Sequence, residues 1–381
     1  MGGIKTSISV TILLFVNFIF AYKYLSRYSD FGLFISGIIL IIQFISFWLS
    51  YRINLSVKQK NILCYVITGF IIGLVIISHI KIPVELLNVD RWSVISSFLT
   101  ELFKGNYPYF AKSSMGNYPG PMPFYFFIAL PFYLIGELSI LSCLGYCIML
   151  MVFIWKKRTT QSIIFLMFFL STSLFLIWEI TTRSNLFTFT VLVLLTLYAF
   201  IDLKHTKSLK FYTLAILTGL LLSTRSVYIL PYIIFFLSGV INKEIGFKKL
   251  LLFISIAFIS FASTFIPFII AFKRDFFIMN PFIIQSSFLI PAFYTIIFVS
   301  ISIALSFLVK NKWDKFFYSG ISLFIAIVIY SIYQLVNYGY EASFINSKID
   351  ISYFVFCIPF LMMYLLEYDY NDDNKLEITN K

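Results

Sequence analysis

Charged residues are scarce in this sequence: they make up 12% of its 381 residues, whereas hydrophobic residues make up 60%. A soluble domain carries about 25% charged residues, so a soluble globular protein is excluded. Histidine and cysteine are scarce too, with two and four residues. The cysteines all lie inside apolar runs, so neither a disulfide framework nor a metal cluster is indicated. There is also no Gly-rich phosphate loop and no soluble domain, which excludes an ATP-driven machine with its own nucleotide-binding domain.

Apolar runs make up most of the chain. About twelve of them are candidates to cross a bilayer, whose hydrocarbon core takes about 20 residues of helix. They lie at Thr6–Leu25, Gly32–Ser50, Asn61–His79, Leu138–Trp155, Ser162–Trp178, Ser184–Ile201, Phe211–Ser223, Val227–Ile241, Leu250–Phe272, Ile284–Val309, Phe316–Val336 and Ile351–Leu366. The sequence therefore predicts an all-α protein, a polytopic transmembrane bundle of about twelve spans.

The basic residues predict the orientation of this bundle. The formal net charge is +12, and the lysines and arginines cluster in alternate short loops, as the positive-inside rule expects of cytoplasmic loops. The alternation holds if the proline-broken run Met122–Gly136 is interfacial or re-entrant rather than a full crossing. Both termini are then cytoplasmic. The positive charge indicates anionic membrane lipids as partners and not nucleic acid.

The pattern divides the chain into four parts. Residues 1–80 form an N-terminal segment of three spans, residues 81–137 an outer loop, residues 138–367 the remaining transmembrane bundle, and residues 368–381 a solvated cytoplasmic tail. In the outer loop the apolar residues recur at helical spacing, which predicts an amphipathic helix lying along the outer leaflet. These residues are Trp92, Ile95, Phe98, Leu99 and Leu102.

Asp90, at the start of this amphipathic helix, is the leading candidate for a catalytic residue. Charged groups close to lipid are costly unless they are paired or used. Aspartate is also a favoured helix N-cap, so Asp90 has a purely structural interpretation. Asn88 can take the capping role instead, which leaves a functional role and a capping role for Asp90 about equally supported.

Three further charged residues are candidate binding groups at outer turns. Glu179 and Arg183 are four residues apart, so one helical turn brings them together, either as part of a site or as a local ion pair. Arg225 has no acidic neighbour in sequence. An unpaired guanidinium suits a phosphate, although snorkelling to lipid head groups is the structural alternative.

Tyr109 and Tyr118 lie beside prolines in the outer loop, within Gly-Asn-Tyr-Pro-Tyr and Asn-Tyr-Pro-Gly-Pro-Met-Pro-Phe-Tyr. A tyrosine in such a loop either stacks on a sugar ring or anchors the loop at the membrane interface. Both tyrosines are therefore candidate substrate-binding residues, with the anchor as the alternative for each.

The order of these features resembles the GT-C superfamily of integral-membrane glycosyltransferases, in particular its mannosyltransferase-like members that use polyprenol-phosphate sugars. A first span region is followed by an outer loop with an early acid, an amphipathic helix, the tyrosine–proline runs and an apolar segment ending Leu-Ile-Gly-Glu. The resemblance covers the central half of the chain. Two features differ from the pattern of that superfamily. The acidic signature here is Asp90-Arg91 and not two adjacent acids, and two spans precede the span that leads into the outer loop.

The resemblance implies an inverting transfer of a sugar from a polyprenyl-phosphate donor to a hydroxyl of a glycan or lipid acceptor. It makes Asp90 the general base and gives Arg225, Arg183 or Arg91 the role of stabilising the phosphate, without a metal or other cofactor. It also implies a bacterial inner-membrane protein with its active site on the extracytoplasmic side.

Three alternatives remain open on the sequence. An O-antigen-polymerase-like or ligase-like enzyme has its major outer loop late in the chain, and here the late loop Asn337–Asp350 is short. A transporter or flippase of lipid-linked glycans predicts inverted repeats and charges near mid-span, which are nearly absent. Nothing in the sequence excludes a structural assembly factor.

Overall fold

The computed structural model describes residues 2–27, 29–87, 89–157, 159–201, 208–288, 291, 293–345 and 349–379. In these residues the chain forms α-helices and short 3₁₀ or π segments without a β-strand, which confirms the predicted all-α class. The α-helices are α1 (Gly2–Leu25), α2 (Gly32–Ser50), α3 (Val57–Lys81), α4 (Arg91–Phe103), α5 (Pro123–Ile135), α6 (Ser139–Trp155), α7 (Gln161–Thr172), α8 (Leu174–Thr181), α9 (Leu186–Ile201), α10 (Ser208–Leu222), α11 (Ile229–Ile241), α12 (Phe247–Ser263), α13 (Ile266–Phe272), α14 (Arg274–Ile278), α15 (Pro281–Phe288), α16 (Phe293–Phe307), α17 (Asp314–Tyr340) and α18 (Ile358–Thr379).

Six helical stretches in the described residues are long and apolar enough to cross a membrane: α1, α2, α3, α12 with α13, α17, and the stretch that leads into α18. Two bent pairs, α5 with α6 and α7 with α8, raise the number to eight if each pair is one span. Helices α9, α10, α11 and α16 are apolar but shorter. The protein is thus a polytopic membrane protein with six to eight candidate spans, and the predicted count of twelve is not shown.

The segment Met122–Gly136 forms a helix of its own. Pro123 occupies the first turn of α5, where its missing N–H costs nothing. Gly136 ends the helix with φ of 89°, a left-handed conformation that glycine adopts without strain. The next helix, α6, is bent by 115° from α5. The two helices are therefore not one straight membrane span.

Helix α4 packs its apolar face against the protein. Ile95, Phe98 and Leu99 are buried, and the Phe98 ring stacks on Phe126 of α5 with 3.5 Å between centroids. Tyr109 contacts the same ring edge-on. The prediction that this face lies on the lipid leaflet is wrong, because aromatic residues of the following loop and α5 cover it.

Charged contacts mark two opposite ends of the bundle. Near the start of α1, Lys5 pairs with Asp314 at the start of α17. Near the end of α1, the Lys23 ammonium donates to the carbonyl of Ile349, next to Asp350. At 1.5 Å per residue these two lysines are about 27 Å apart, close to the thickness of a bilayer's hydrocarbon core, about 30 Å.

A buried polar chain supports the break between α7 and α8. The side chain of Asn17 donates to Gln43, which donates to Thr172. The Asn17 oxygen accepts from the backbone N–H of Leu174 at 2.8 Å. The first N–H groups of a helix have no partner within that helix, and this bond supplies one to Leu174. The N–H group freed by the 48° bend between α7 and α8 is therefore hydrogen-bonded inside the protein.

The cytoplasmic tail predicted over residues 368–381 is helical as far as it is described. Helix α18 continues to Thr379, and the side chains after Tyr368 lie outside the described part of the chain. The helix therefore runs on past the apolar stretch that begins at Ile351.

Candidate active site

A cavity of about 590 Å³ opens beside the first turn of α4. It brings together parts of the chain that are far apart in sequence: the start of α4, the loop before α5, the turn after α10, α15, α17 and the 3₁₀ segment Ile351–Cys357. Its charged lining consists of Asp90, Arg91, Arg225 and Asp350. Its apolar lining includes Val94, Val227, Ile284, Phe298, Ile327 and Phe356. The cavity can therefore hold a ligand with a polar head and an apolar tail.

Backbone hydrogen bonds join the turn after α10 to the loop before α5. The N–H groups of Met122 and Phe124 donate to the carbonyls of Thr224 and Ser223. On the other side, Ser226 donates to Gln285, which donates to the Gly120 carbonyl at 2.7 Å. These contacts place Arg225 in the wall of the cavity that also contains Asp90.

Asp90 stands at the N-cap position of α4, but its side chain makes no capping bond. Its Oδ2 instead accepts hydrogen bonds from Ser113 and from the amide of Asn117, each at 2.7 Å. Oδ1 has no hydrogen-bond partner among the described residues. The capping interpretation of Asp90 is therefore wrong, while the alternative cap, Asn88, lies outside the described residues. The carboxylate is fixed at one oxygen and has a second oxygen available to a ligand.

Arg91 does not pair with its neighbour Asp90. Its guanidinium forms an ion pair with Asp350 and donates to the Ser352 hydroxyl at 2.9 Å. It also lies over the Tyr353 ring, with Cζ 5.4 Å from the centroid. Arg91, a candidate phosphate-binding residue, therefore lines the cavity but is engaged in an ion pair that crosses from α4 to the late part of the chain.

Arg225 is the cation in the cavity that has no acidic partner among the described residues. Its Nε is buried without a hydrogen-bond partner. Its Cζ lies 5.4 Å from the centroid of the Tyr125 ring. An arginine is always charged, and its planar fork matches the oxygens of a phosphate. The side chain is thus a partly buried cation that no carboxylate among the described residues neutralises.

The two predicted tyrosines have different positions. Tyr118 lines the cavity, and Lys112 lies over its ring at 5.5 Å. Tyr109 is fully buried and donates to the Pro121 carbonyl at 3.2 Å. Tyr109 packs between Phe98 and Phe268. The prediction that Tyr109 binds substrate is corrected, because no face of its ring is open.

Glu179 is buried away from the cavity and caps α9. It accepts from the hydroxyls of Tyr146 and Ser184 and from the backbone N–H groups of Leu186 and Phe187. A carboxylate is favourable at a helix N-terminus, where backbone N–H groups lack partners. Its predicted contact with substrate is corrected to a structural role.

Arg183 does not form the expected ion pair with Glu179. It is 2% exposed and has a φ of 56°. Its guanidinium donates to the carbonyls of Thr181, Ser78 and Ile82 and lies 3.4 Å from Glu137. It ties the end of α8 to the end of α3, so its predicted role in substrate binding is corrected as well.

Glu137, in the turn between α5 and α6, is the acidic partner of Arg183. Burial alone raises the pKa of Glu137, but hydrogen bonds from Ser139 and His79 and the charge of Arg183 outweigh burial and hold the pKa below its usual value. The carboxylate is therefore ionised near neutral pH and serves as the junction of three helices.

Replacing Glu179 with leucine is expected to lower the free energy of unfolding by about 3 kcal/mol, because buried donors at the start of α9 lose their acceptor. Denaturant titration in mixed micelles measures the change. Glu85→Leu, at an exposed position, is the control and is expected to cost less than about 0.5 kcal/mol. A stable Glu179→Leu protein with weakened substrate binding would contradict the structural role.

Sequence reasoning missed several residues of the cavity. Asp350 was passed over because its loop is short, and Asn117 because an isolated asparagine carries no chemical signal. Tyr125, Tyr330 and Tyr353 also line the cavity. The run that ends in Pro-Phe-Tyr was a usable signal for Tyr125, whose hydroxyl donates to Asn185 in the turn after α8. Residues 179–185 therefore support the cavity wall without contacting its contents.

Metal-binding groups are not clustered in the part of the chain that the structure describes: no three His, Cys, Asp or Glu side chains come together there. The prediction that the reaction needs no metal stays a prediction.

Comparison with known proteins gives no relative. No family model matches the chain, and neither a curated protein nor a solved structure matches it.

Proposed function

We propose that this protein is a membrane glycosyltransferase that moves a sugar from a polyprenyl-phosphate donor to an acceptor hydroxyl with inversion. One observation carries the proposal: Asp90, with an oxygen available, and Arg225, a cation without an acidic partner among the described residues, line the same cavity. A general base and a phosphate-binding cation are the two groups that this reaction needs.

The chemistry follows from these two side chains. Oδ1 of Asp90 takes the proton of the acceptor hydroxyl as its oxygen attacks the anomeric carbon. The bond between that carbon and the phosphate oxygen breaks, and the lipid phosphate leaves with the bonding electrons. Arg225 stabilises the negative charge that develops on the leaving phosphate.

The shape and lining of the cavity support an amphiphilic donor. A volume of about 590 Å³ is within the usual range of about 300–1,000 Å³ for small-molecule sites. The apolar lining suits the first isoprene units of the lipid, and Tyr118, an aromatic residue of the lining, suits the sugar. The acceptor, a glycan or a lipid, enters beside Asp90.

The orientation is part of the proposal. The Lys5 end of the bundle carries Lys60 near the start of α3, Lys156 after α6 and Lys315 near the start of α17, and the cavity lies at the end marked by Asp350. The positive-inside rule makes the lysine-rich end cytoplasmic. The cavity then opens on the extracytoplasmic side of a bacterial inner membrane. Twelve crossings result if α9, α10, α11 and α16 each cross in addition to the eight longer candidates.

A transfer assay tests the proposal. Wild-type protein in proteoliposomes is mixed with polyprenyl phosphates that carry different hexoses and with envelope glycan or lipid acceptors. The expected result is loss of one donor, release of free polyprenyl phosphate and a labelled acceptor of inverted anomeric configuration. Movement of a lipid-linked sugar across the bilayer without bond cleavage would favour a transporter and contradict the proposal.

A further inference from the structure

Asp350 contacts the start of α4 at the lining of the cavity. It is 259 positions from Arg91 in sequence, yet its Oδ2 accepts from Arg91 Nη2. The side chains of Arg91 and Asp350 are 16% and 33% exposed. This ion pair is therefore partly shielded from water and is less screened than a pair on the surface.

The acceptor side of the pair is itself held rigidly. Oδ1 of Asp350 accepts from both the N–H and the hydroxyl of Ser352, and the same hydroxyl accepts from Arg91. The backbone N–H of Asp350 donates to the Tyr330 hydroxyl at 3.4 Å. Asp350 is thus fixed to α17 and to the 3₁₀ segment Ile351–Cys357, which are packed elements of the bundle.

The donor side of the pair is the first residue of α4, next to Asp90. The N-cap side chain makes no capping bond there, so the first turn lacks the usual local restraint. Its contacts with the loop before α5 are the bonds of Asp90 with Ser113 and Asn117 and those of Ser93 with Ser114. Its polar contacts with the late part of the chain run through Arg91 to Asp350 and Ser352.

From this arrangement we infer that Asp350 is a positioning residue: by holding Arg91, it fixes the start of α4 and thereby the place of the Asp90 carboxylate in the cavity. The effect of Asp350 on catalysis rests on the proposed transfer reaction. Its effect on the position of α4 does not. A base that is displaced by about 1 Å loses about 100-fold in rate.

The inference predicts a specific kinetic result for Asp350→Asn. The kcat is expected to fall about 10- to 100-fold. The KM for a lipid-phosphate donor is expected to stay unchanged or to fall, because Arg91 without its acidic partner adds a free cation to the cavity. Asp350→Glu, which keeps the charge, is expected to restore most of the kcat. Asp30→Asn, an exposed aspartate away from the cavity, is the control and is expected to change neither constant.

Hydrogen–deuterium exchange tests the structural part without any activity. The peptide that contains the first turn of α4 is expected to exchange faster in Asp350→Asn and in Arg91→Gln. The double variant is expected to resemble either single variant, because both changes remove one interaction. Unchanged exchange, or a raised KM with an unchanged kcat, would overturn the inference. If the wild type transfers no sugar, the proposed function fails, and the exchange result alone decides the positioning role.

Discussion

Asp90→Asn is expected to reduce sugar transfer by about 10²- to 10⁴-fold, the contribution of a positioned general base. Asparagine has the same shape, and its oxygen still accepts from Ser113 and Asn117, but its amide cannot take a proton from the acceptor. Release of polyprenyl phosphate in proteoliposomes measures the loss. The variant is expected to fold and insert like the wild type, because Asp90 caps no helix.

The matched control for this experiment is Asp30→Asn, the same change at an exposed site in the turn between α1 and α2. It is expected to retain full transfer. If Asp90→Asn also transfers at the wild-type rate, Asp90 is not the base, and the catalytic model built on it fails.

Arg225→Gln is expected to lower kcat/KM for the donor by about 10²- to 10³-fold, because a preorganised donor to the leaving phosphate is lost. Its stability is expected to equal or exceed that of the wild type. The guanidinium has no acidic partner among the described residues, and its buried Nε lacks a hydrogen-bond partner, so the substitution removes a partly buried cation that no carboxylate neutralises. Donor saturation kinetics and denaturant titration in micelles measure the two effects.

The control for Arg225 is Arg274→Gln, at an exposed arginine that does not line the cavity. Arg225→Lys is expected to fall between the wild type and Arg225→Gln, because an ammonium keeps the charge but loses the planar fork. Unchanged kcat/KM together with lowered stability would show that Arg225 has a structural role and that the phosphate binds elsewhere.

The contrast between Arg225 and Arg183 shows where sequence reasoning reached its limit. Both are arginines at turns between apolar helices, and on the sequence both were candidate phosphate ligands. In the structure Arg183 donates to three backbone carbonyls and pairs with Glu137, whereas Arg225 lines the cavity without an acidic partner among the described residues. Glu137 and two of the three carbonyls, those of Ser78 and Ile82, come from parts of the chain distant in sequence, so no local pattern distinguishes the two arginines.

Asp90 shows a similar division. Its place at the start of an amphipathic helix follows from the spacing of apolar residues, and the sequence left capping and chemistry equally open. The bonds from Ser113 and Asn117 decide against capping. They depend on the fold of the loop between α4 and α5, which local propensity does not specify.

The sequence by itself determined that this is an all-α membrane protein, because hydrophobic run length and charge scarcity are properties of composition and order. It also singled out the polar stretch around Asp90 as the candidate site. Only the tertiary structure decided which polar groups share a cavity. It brought Arg225 and Asp350 to Asp90 and buried Tyr109, Glu179 and Arg183 in supporting contacts. The reason is physical: a charged group near a membrane interior must find a partner, and helix packing decides whether that partner is another residue of the protein or a ligand.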